Sequence, residues 1–204
     1  VEVYYWLGEW DADDYQFVPD NEEPQRIDYG DFGFTGPSAM RDPETGRCIL
    51  FTIAQDQRRP QDHFDAGWAH NGGLPLELYL SDDDQLGIEP IEELTSLHNE
   101  ELVDVSDQTL RSTNEELTRV AGNTLEILLE LDSGGASKYG IEVRKSPDGE
   151  EQVRIYYDES RERIYAHREE SSSDLDVRSG LAEQSSLIHS RELELKGATL
   201  RLHL

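Results

Sequence analysis

Leu74-Pro75-Leu76-Glu77-Leu78-Tyr79-Leu80 is the stretch that decides the fold. Its leucines recur at every second position while Glu77 and Tyr79 point the other way, which is the period of a half-buried β-strand and not of a helix. The same period appears upstream in Ile49, Phe51 and Ile53, and downstream in Leu125, Ile127, Leu129 and Leu131. It continues through Tyr139, Ile141 and Val143, then Val153, Ile155 and Tyr157, then Leu193 and Leu195, and last Leu200, Leu202 and Leu204. Between these runs stand turn clusters: Asp42-Pro43-Glu44-Thr45-Gly46, Asp82-Asp83-Asp84, Ser133-Gly134-Gly135 and Ser146-Pro147-Asp148-Gly149. Short strands at close spacing predict an all-β chain built from antiparallel propeller blades or a sandwich.

One segment breaks the period. Ile91, Leu94, Leu97 and Leu102 have a roughly helical spacing, and Pro90 suits a first helical position. A short helix over about 90–99 is therefore expected between two β units. The polar stretch 103–120 leads into the second unit, and Glu169-Glu170-Ser171-Ser172-Ser173-Asp174 reads as a solvated loop. Val1-Glu2-Val3-Tyr4-Tyr5-Trp6 reads as a strand without the basic and apolar regions of a signal peptide, and Thr199–Leu204 alternates to the last residue. Both ends are expected to continue into a longer protein.

The charge narrows the function classes. Forty-five Asp and Glu against eighteen Lys and Arg give a net charge of −27. Such a surface repels a phosphate backbone, so no nucleic-acid partner is expected. It also repels itself, a penalty that fades when the screening length falls to roughly 3 Å at about 1 M salt. The acids are spread along the chain, and Asp82-Asp83-Asp84 lacks the glycine and glutamate spacing of an EF-hand. Adaptation to a salty solvent is expected ahead of an acidic partner-binding or calcium-binding surface. No apolar run is long enough to cross a membrane, so no membrane partner is expected. Cys48, the single cysteine, lies in an apolar run and is expected to be a small buried hydrophobe. His63, His98, His167, His189 and His203 are scattered without metal-ligand spacing, and no phosphate loop or nucleophile elbow appears. Neither cofactor nor metal is expected, and these residues point to no particular compartment or oligomeric state.

An ordered set of short motifs adds to this reading. Leu7-Gly8-Glu9, Phe17, Asp28-Tyr29-Gly30, Phe34-Thr35-Gly36-Pro37-Ser38-Ala39-Met40 and Gly46-Arg47-Cys48-Ile49-Leu50 come first. Gly67-Trp68, Leu74-Pro75-Leu76-Glu77-Leu78 and Glu89-Pro90-Ile91-Glu92-Glu93-Leu94-Thr95-Ser96-Leu97 follow in order. Together they resemble the last propeller blade and linker of glycoside hydrolase family 32, the invertases, levanases, inulinases and related β-fructofuranosidases. More loosely, Glu142-Val143-Arg144, Gly149-Glu150-Glu151 and Tyr156-Tyr157-Asp158 resemble the family's C-terminal sandwich.

The resemblance implies the end of a five-bladed β-propeller over 1–89, a linker with a short helix over 90–107, and a C-terminal β-sandwich over 108–204. It implies a retaining hydrolase of sucrose or fructan oligosaccharides that uses one carboxylate as nucleophile and another as acid. The motifs that carry those groups precede the matched region, so no catalytic residue is expected in this chain. Arg41-Asp42-Pro43 matches the letters of a family motif, yet Asp-Pro ahead of Thr-Gly is what a tight turn wants. Departures from the family pattern fall at Phe34-Thr35-Gly36, Phe51-Thr52-Ile53 and Pro75-Leu76, where many members have Phe-Tyr-Ala, Trp-Gly-Trp and Pro-Arg. Asp28, Trp68, His70 and Asn71 remain as substrate-binding candidates. Against that stand a tryptophan packed in the blade and a turn at His70-Asn71-Gly72-Gly73. A free-standing carbohydrate-binding module and a structural or dimerising sandwich are the alternatives to an enzyme part.

Overall fold

The computed structural model describes residues 2–28, 34–56, 58–174, 177, 186–195, 197 and 199–204. Val1, Tyr29 and Gly30 of the motifs above lie outside these. The chain opens with two small ladders: β1 (Tyr4–Tyr5) pairs with β4 (Gln25–Arg26), and β2 (Gly8–Asp11) pairs with β3 (Gln16–Pro19). A blade-like antiparallel meander follows, in the order β5 (Phe34–Arg41), β6 (Cys48–Ala54), β8 (Leu76–Leu80) and β9 (Leu86–Pro90). The short β7 (Asn71–Gly72) joins β6 at its C-terminal end.

The turns that close this sheet are the expected ones. At Asp42 the carboxylate accepts from the Glu44 N–H at 2.9 Å and the Thr45 hydroxyl at 2.6 Å, while Gly46 N–H reaches the Asp42 carbonyl at 2.8 Å. Arg41-Asp42-Pro43 is thus the corner between β5 and β6. At the other corner Ser81 N–H donates to the Gln85 carbonyl at 2.9 Å around Asp82-Asp83-Asp84. β5 carries a bulge: Thr35 faces Ile53 and Ser38 faces Phe51, so three residues advance against two. Gly36 supplies it, with φ of 57° that disfavours any side chain.

On β6 the buried face differs from the one the alternation singles out. Leu50 and Thr52 are buried, while Phe51 and Ile53 are exposed. Both faces of the strand are apolar, and a period of two groups residues by face without saying which face is covered. Cys48 is likewise half-buried and free, not enclosed. Pro90 ends β9 opposite Leu76 instead of starting a helix, a place where a missing N–H is tolerated at a sheet edge. The linker helix is a 3-10 turn, Glu92–Leu97. Two helices not anticipated from sequence are α1 (Pro60–Ala66) and α2 (Leu110–Leu117). The second lies in the polar lead-in, where the Thr109 hydroxyl accepts from the Ser112 N–H at 3.3 Å as an N-cap.

The second unit is a sandwich. β11 (Lys138–Val143), β12 (Val153–Asp158), β13 (Arg163–His167) and β14 (Ile188–Glu192) form one antiparallel sheet, and β10 (Leu128–Asp132) pairs with β15 (Thr199–His203) in another. Their inner faces meet at Tyr139, Tyr157, Leu200 and Leu202, with Leu129, Leu131, Ile141 and Ile155 packed around them. These are the residues that alternate in the sequence, and here the inward face is the expected one. Tyr139 and Tyr157 are register partners whose rings meet edge to face at 5.9 Å. Arg47, just before β6, anchors the linker to the blade by donating to Glu93 at 3.1 Å and standing 3.6 Å from Glu77.

Candidate functional site

The candidate site grows from an excursion at the end of β6. After Ala54 the chain leaves the sheet, passes through α1, and returns as β7, where Asn71 pairs with Ala54 and Gly72 with Ile53. The two ends of the excursion are therefore adjacent, and Asp56 and His70 are brought together. Asp56 N–H donates to His70 Nδ1 at 3.1 Å. With Nδ1 accepting, the neutral ring carries its proton on Nε2.

Local chemistry explains why α1 forms in so short a segment. Pro60 stands at its first turn, and Asp62 reaches back to the Arg59 N–H at 3.2 Å and to Arg59 Nε at 3.0 Å. Gly67 ends the helix in the left-handed region at φ 75°, with its N–H on the His63 carbonyl at 3.0 Å. That reversal delivers Trp68 to the surface, where it is 51% exposed. His70, exposed and itself at φ 62°, turns the chain into β7.

Asp56 is the centre of the cluster. Its Oδ1 accepts from the Arg58 N–H at 3.0 Å and its Oδ2 from Arg58 Nε at 2.6 Å, and His63 Nε2 lies 3.4 Å from Oδ2. The Arg58 guanidinium in turn lies over the Trp68 ring, 4.2 Å from its centroid. His63 meets His70 edge to face at 5.5 Å. The Arg58 hydrogen bond holds the Asp56 carboxyl below the usual aspartate range, against the opposing effect of partial burial.

This electrostatic state limits the chemistry. A general acid needs a carboxyl that keeps its proton near neutral pH, and Asp56 is held ionised by its arginine. In the ion pairs Asp56–Arg58 and Asp62–Arg59 each carboxylate is matched by its own guanidinium. What remains is a half-exposed tryptophan with the Arg58 guanidinium over its ring, beside exposed His70 and Asn71, an arrangement suited to holding a neutral ring with apolar faces.

Of the four sequence candidates, Trp68, His70 and Asn71 stand together on this excursion. Asp28 is half-buried, just past β4 of the first small ladder and not on this excursion. Sequence reasoning misses Asp56, Arg58 and His63 as a group. Their signal is faint: a single acid at the end of an apolar strand, an arginine pair and a histidine that the fold alone juxtaposes. Among the described residues no group of three or more His, Cys, Asp or Glu side chains could hold a metal ion.

Comparison with known proteins agrees with the fold. Residues 1–90 match the profile of the glycosyl hydrolases family 32 N-terminal domain, and residues 93–204 match that of the family's C-terminal region. A β-fructofuranosidase, insoluble isoenzyme 2, from Daucus carota is 34% identical over 103 residues, covering 48% of this chain and 17% of the relative. The matched stretches thus cover a fifth or less of the length of such curated relatives. The exo-inulinase of Aspergillus awamori superposes with a TM-score of 0.72 at 17% identity, over 99% of this chain and 40% of that one. The β-fructofuranosidase of Bombyx mori in complex with sucrose gives 0.61 at 17% identity, over 100% and 38%. Structural likeness at such identity speaks for the fold alone, whereas the profiles cover both units in order. The chain belongs to glycoside hydrolase family 32.

Proposed function

We propose that this chain forms the C-terminal part of a retaining β-fructofuranosidase-type hydrolase acting on sucrose or fructans, its catalytic carboxylates lying upstream of this chain. The observation that carries this reading is the uncovered apolar face of the blade. Met40, Phe51, Ile53 and Tyr79 share one side of the β5–β9 sheet and are all exposed. A propeller blade packs against its neighbours on both faces, so such a face is what a blade inside a larger ring presents. In this reading residues 1–89 complete the propeller, 90–107 link, and 108–204 form the sandwich. Trp68, His70, Asn71 and Asp28 contact sugar, with Trp68 stacking on a ring face and the others offering hydrogen bonds. The net charge of −27 serves a protein that works in concentrated salt.

Assaying the purified 204-residue chain on sucrose and inulin tests the central claim. No fructose above the buffer control is the expected result. Fructose release would place the catalytic pair within this chain and overturn the assignment.

A further inference from the structure

Asp56 does more in the cluster than neutralise one arginine. Its carboxylate grips Arg58 through the side-chain Nε at 2.6 Å and the backbone N–H at 3.0 Å, so both the backbone of Arg58 and its guanidinium are held by one group. The same carboxylate faces His63, whose ring edge meets His70. Only Gln55 separates Asp56 from the end of β6, so the grip originates beside a paired strand. Long arginine side chains lose much rotamer freedom when they are fixed in one place. Without a second anchor, a guanidinium over an exposed tryptophan would leave it for water.

We infer that Asp56 is the positioning residue of the Trp68 face: it pins Arg58 against one side of the indole, so that the ring is held still and presents its other side. This rests on the reading of Trp68 and His70 as sugar contacts. The consequence is a site that stacks a single sugar ring on one indole face, in an orientation set before binding. Preorganised aromatic platforms bind without the cost of ordering a free side chain. Asp56 itself touches no sugar in this arrangement.

The test uses the 204-residue chain with Trp6→Phe and Trp10→Phe, which leaves Trp68 as the only tryptophan. Acrylamide quenching of its fluorescence reports how much of the ring is accessible. Asp56→Asn and Arg58→Leu should each raise the quenching constant about twofold by uncovering one of two ring faces, and the double variant should go no further than either alone. Asp56→Glu, which keeps the charge, should restore most of the protection; a merely structural role would not follow charge in this way. Should Asp56→Asn fail to fold, Arg58→Leu and Asp56→Glu decide the matter by the same readout. Unchanged quenching in Asp56→Asn, or protection lost equally in Asp56→Glu, would overturn the role of Asp56. Calorimetric titration with inulin separates the underlying reading: equal heats for Trp68→Ala and the parent would remove Trp68 as a sugar contact whatever the fluorescence shows.

Discussion

His203 Nε2 lies 2.7 Å from Oε1 of Glu126, tying the last strand to the residues that lead into β10. The other carboxylate oxygen of Glu126 pairs with His98, which closes the linker 3-10 helix. One acid thus joins the end of the linker 3-10 helix to the edge of the sandwich. The neighbouring backbone reinforces it, with Ile127 and Leu204 exchanging N–H to carbonyl bonds at 2.8 and 3.0 Å.

Glu126 should therefore make the sandwich acid-sensitive. Its pKa is lowered first by the His203 hydrogen bond, opposed by partial burial and helped by the charge of His98. A carboxyl depressed in the folded state adds stability above its unfolded pKa and loses it as pH falls through the folded one. The thermal midpoint should drop as pH descends below the ordinary glutamate value of 4.5. Glu126→Gln should melt lower at neutral pH and show a shallower acid slope. Parallel melting curves for parent and variant across that range would exclude the bridge as a contributor.

Asp158 offers a second acid-dependent contact, inside the sandwich. It is 2% exposed and accepts from the Ser160 hydroxyl at 2.6 Å, with Lys138 Nζ at 3.1 Å. The Ser160 bond is the leading cause of its lowered pKa, so its contribution is present above the ordinary aspartate range and is lost as pH falls below it. Asp158→Ala should destabilise more than Asp158→Asn, because the amide still accepts from Ser160 while alanine leaves the hydroxyl without that partner. Urea melts at neutral pH rank the two; equal midpoints would contradict the hydrogen-bond account.

Leu200 measures the core. It is 1% exposed between the two sheets of the sandwich. Leu200→Ala should cost about 2–5 kcal/mol, the sum of lost transfer energy and the cavity left behind. Chemical denaturation with an unchanged slope would give the value, and a loss under about 1 kcal/mol would mean that the sheets close over the gap.

Salt should stabilise the chain. With −27 net charge, repulsion is strong at low ionic strength and is screened as the screening length shrinks from about 10 Å at 0.1 M to roughly 3 Å at 1 M. Melting in sodium chloride should show a midpoint that climbs steadily over that range. A flat response would remove the adaptation to salt from the proposed function.

Much of this architecture is legible in the sequence. The alternation at Tyr139, Ile141, Ile155, Tyr157, Leu200 and Leu202 names both the strands and the inward face of the sandwich, because most of the outward partners there are polar or charged. Asp42-Pro43-Glu44-Thr45-Gly46 and Ser146-Pro147-Asp148-Gly149 name their turns for equally local reasons, a capping carboxylate and a glycine. Local patterning fails where both faces are apolar, as on β6. It fails too at α1, whose seven residues bury no side chain and whose start is held by Arg59 and Asp62 instead of an apolar stripe.

The division follows from the range of the forces. Strand period, turn chemistry and net charge are written in residues a few positions apart, so sequence alone settles an acidic, all-β chain with a break near the linker. The juxtaposition of Asp56 with His70, and of Glu126 with His98 and His203, depends on sheet pairing that returns distant segments to one place. No local preference of those residues encodes it. Burial on β6 is decided the same way: Leu50 and Phe51 are both apolar, and only packing against the rest of the fold makes one of them core and leaves the other exposed.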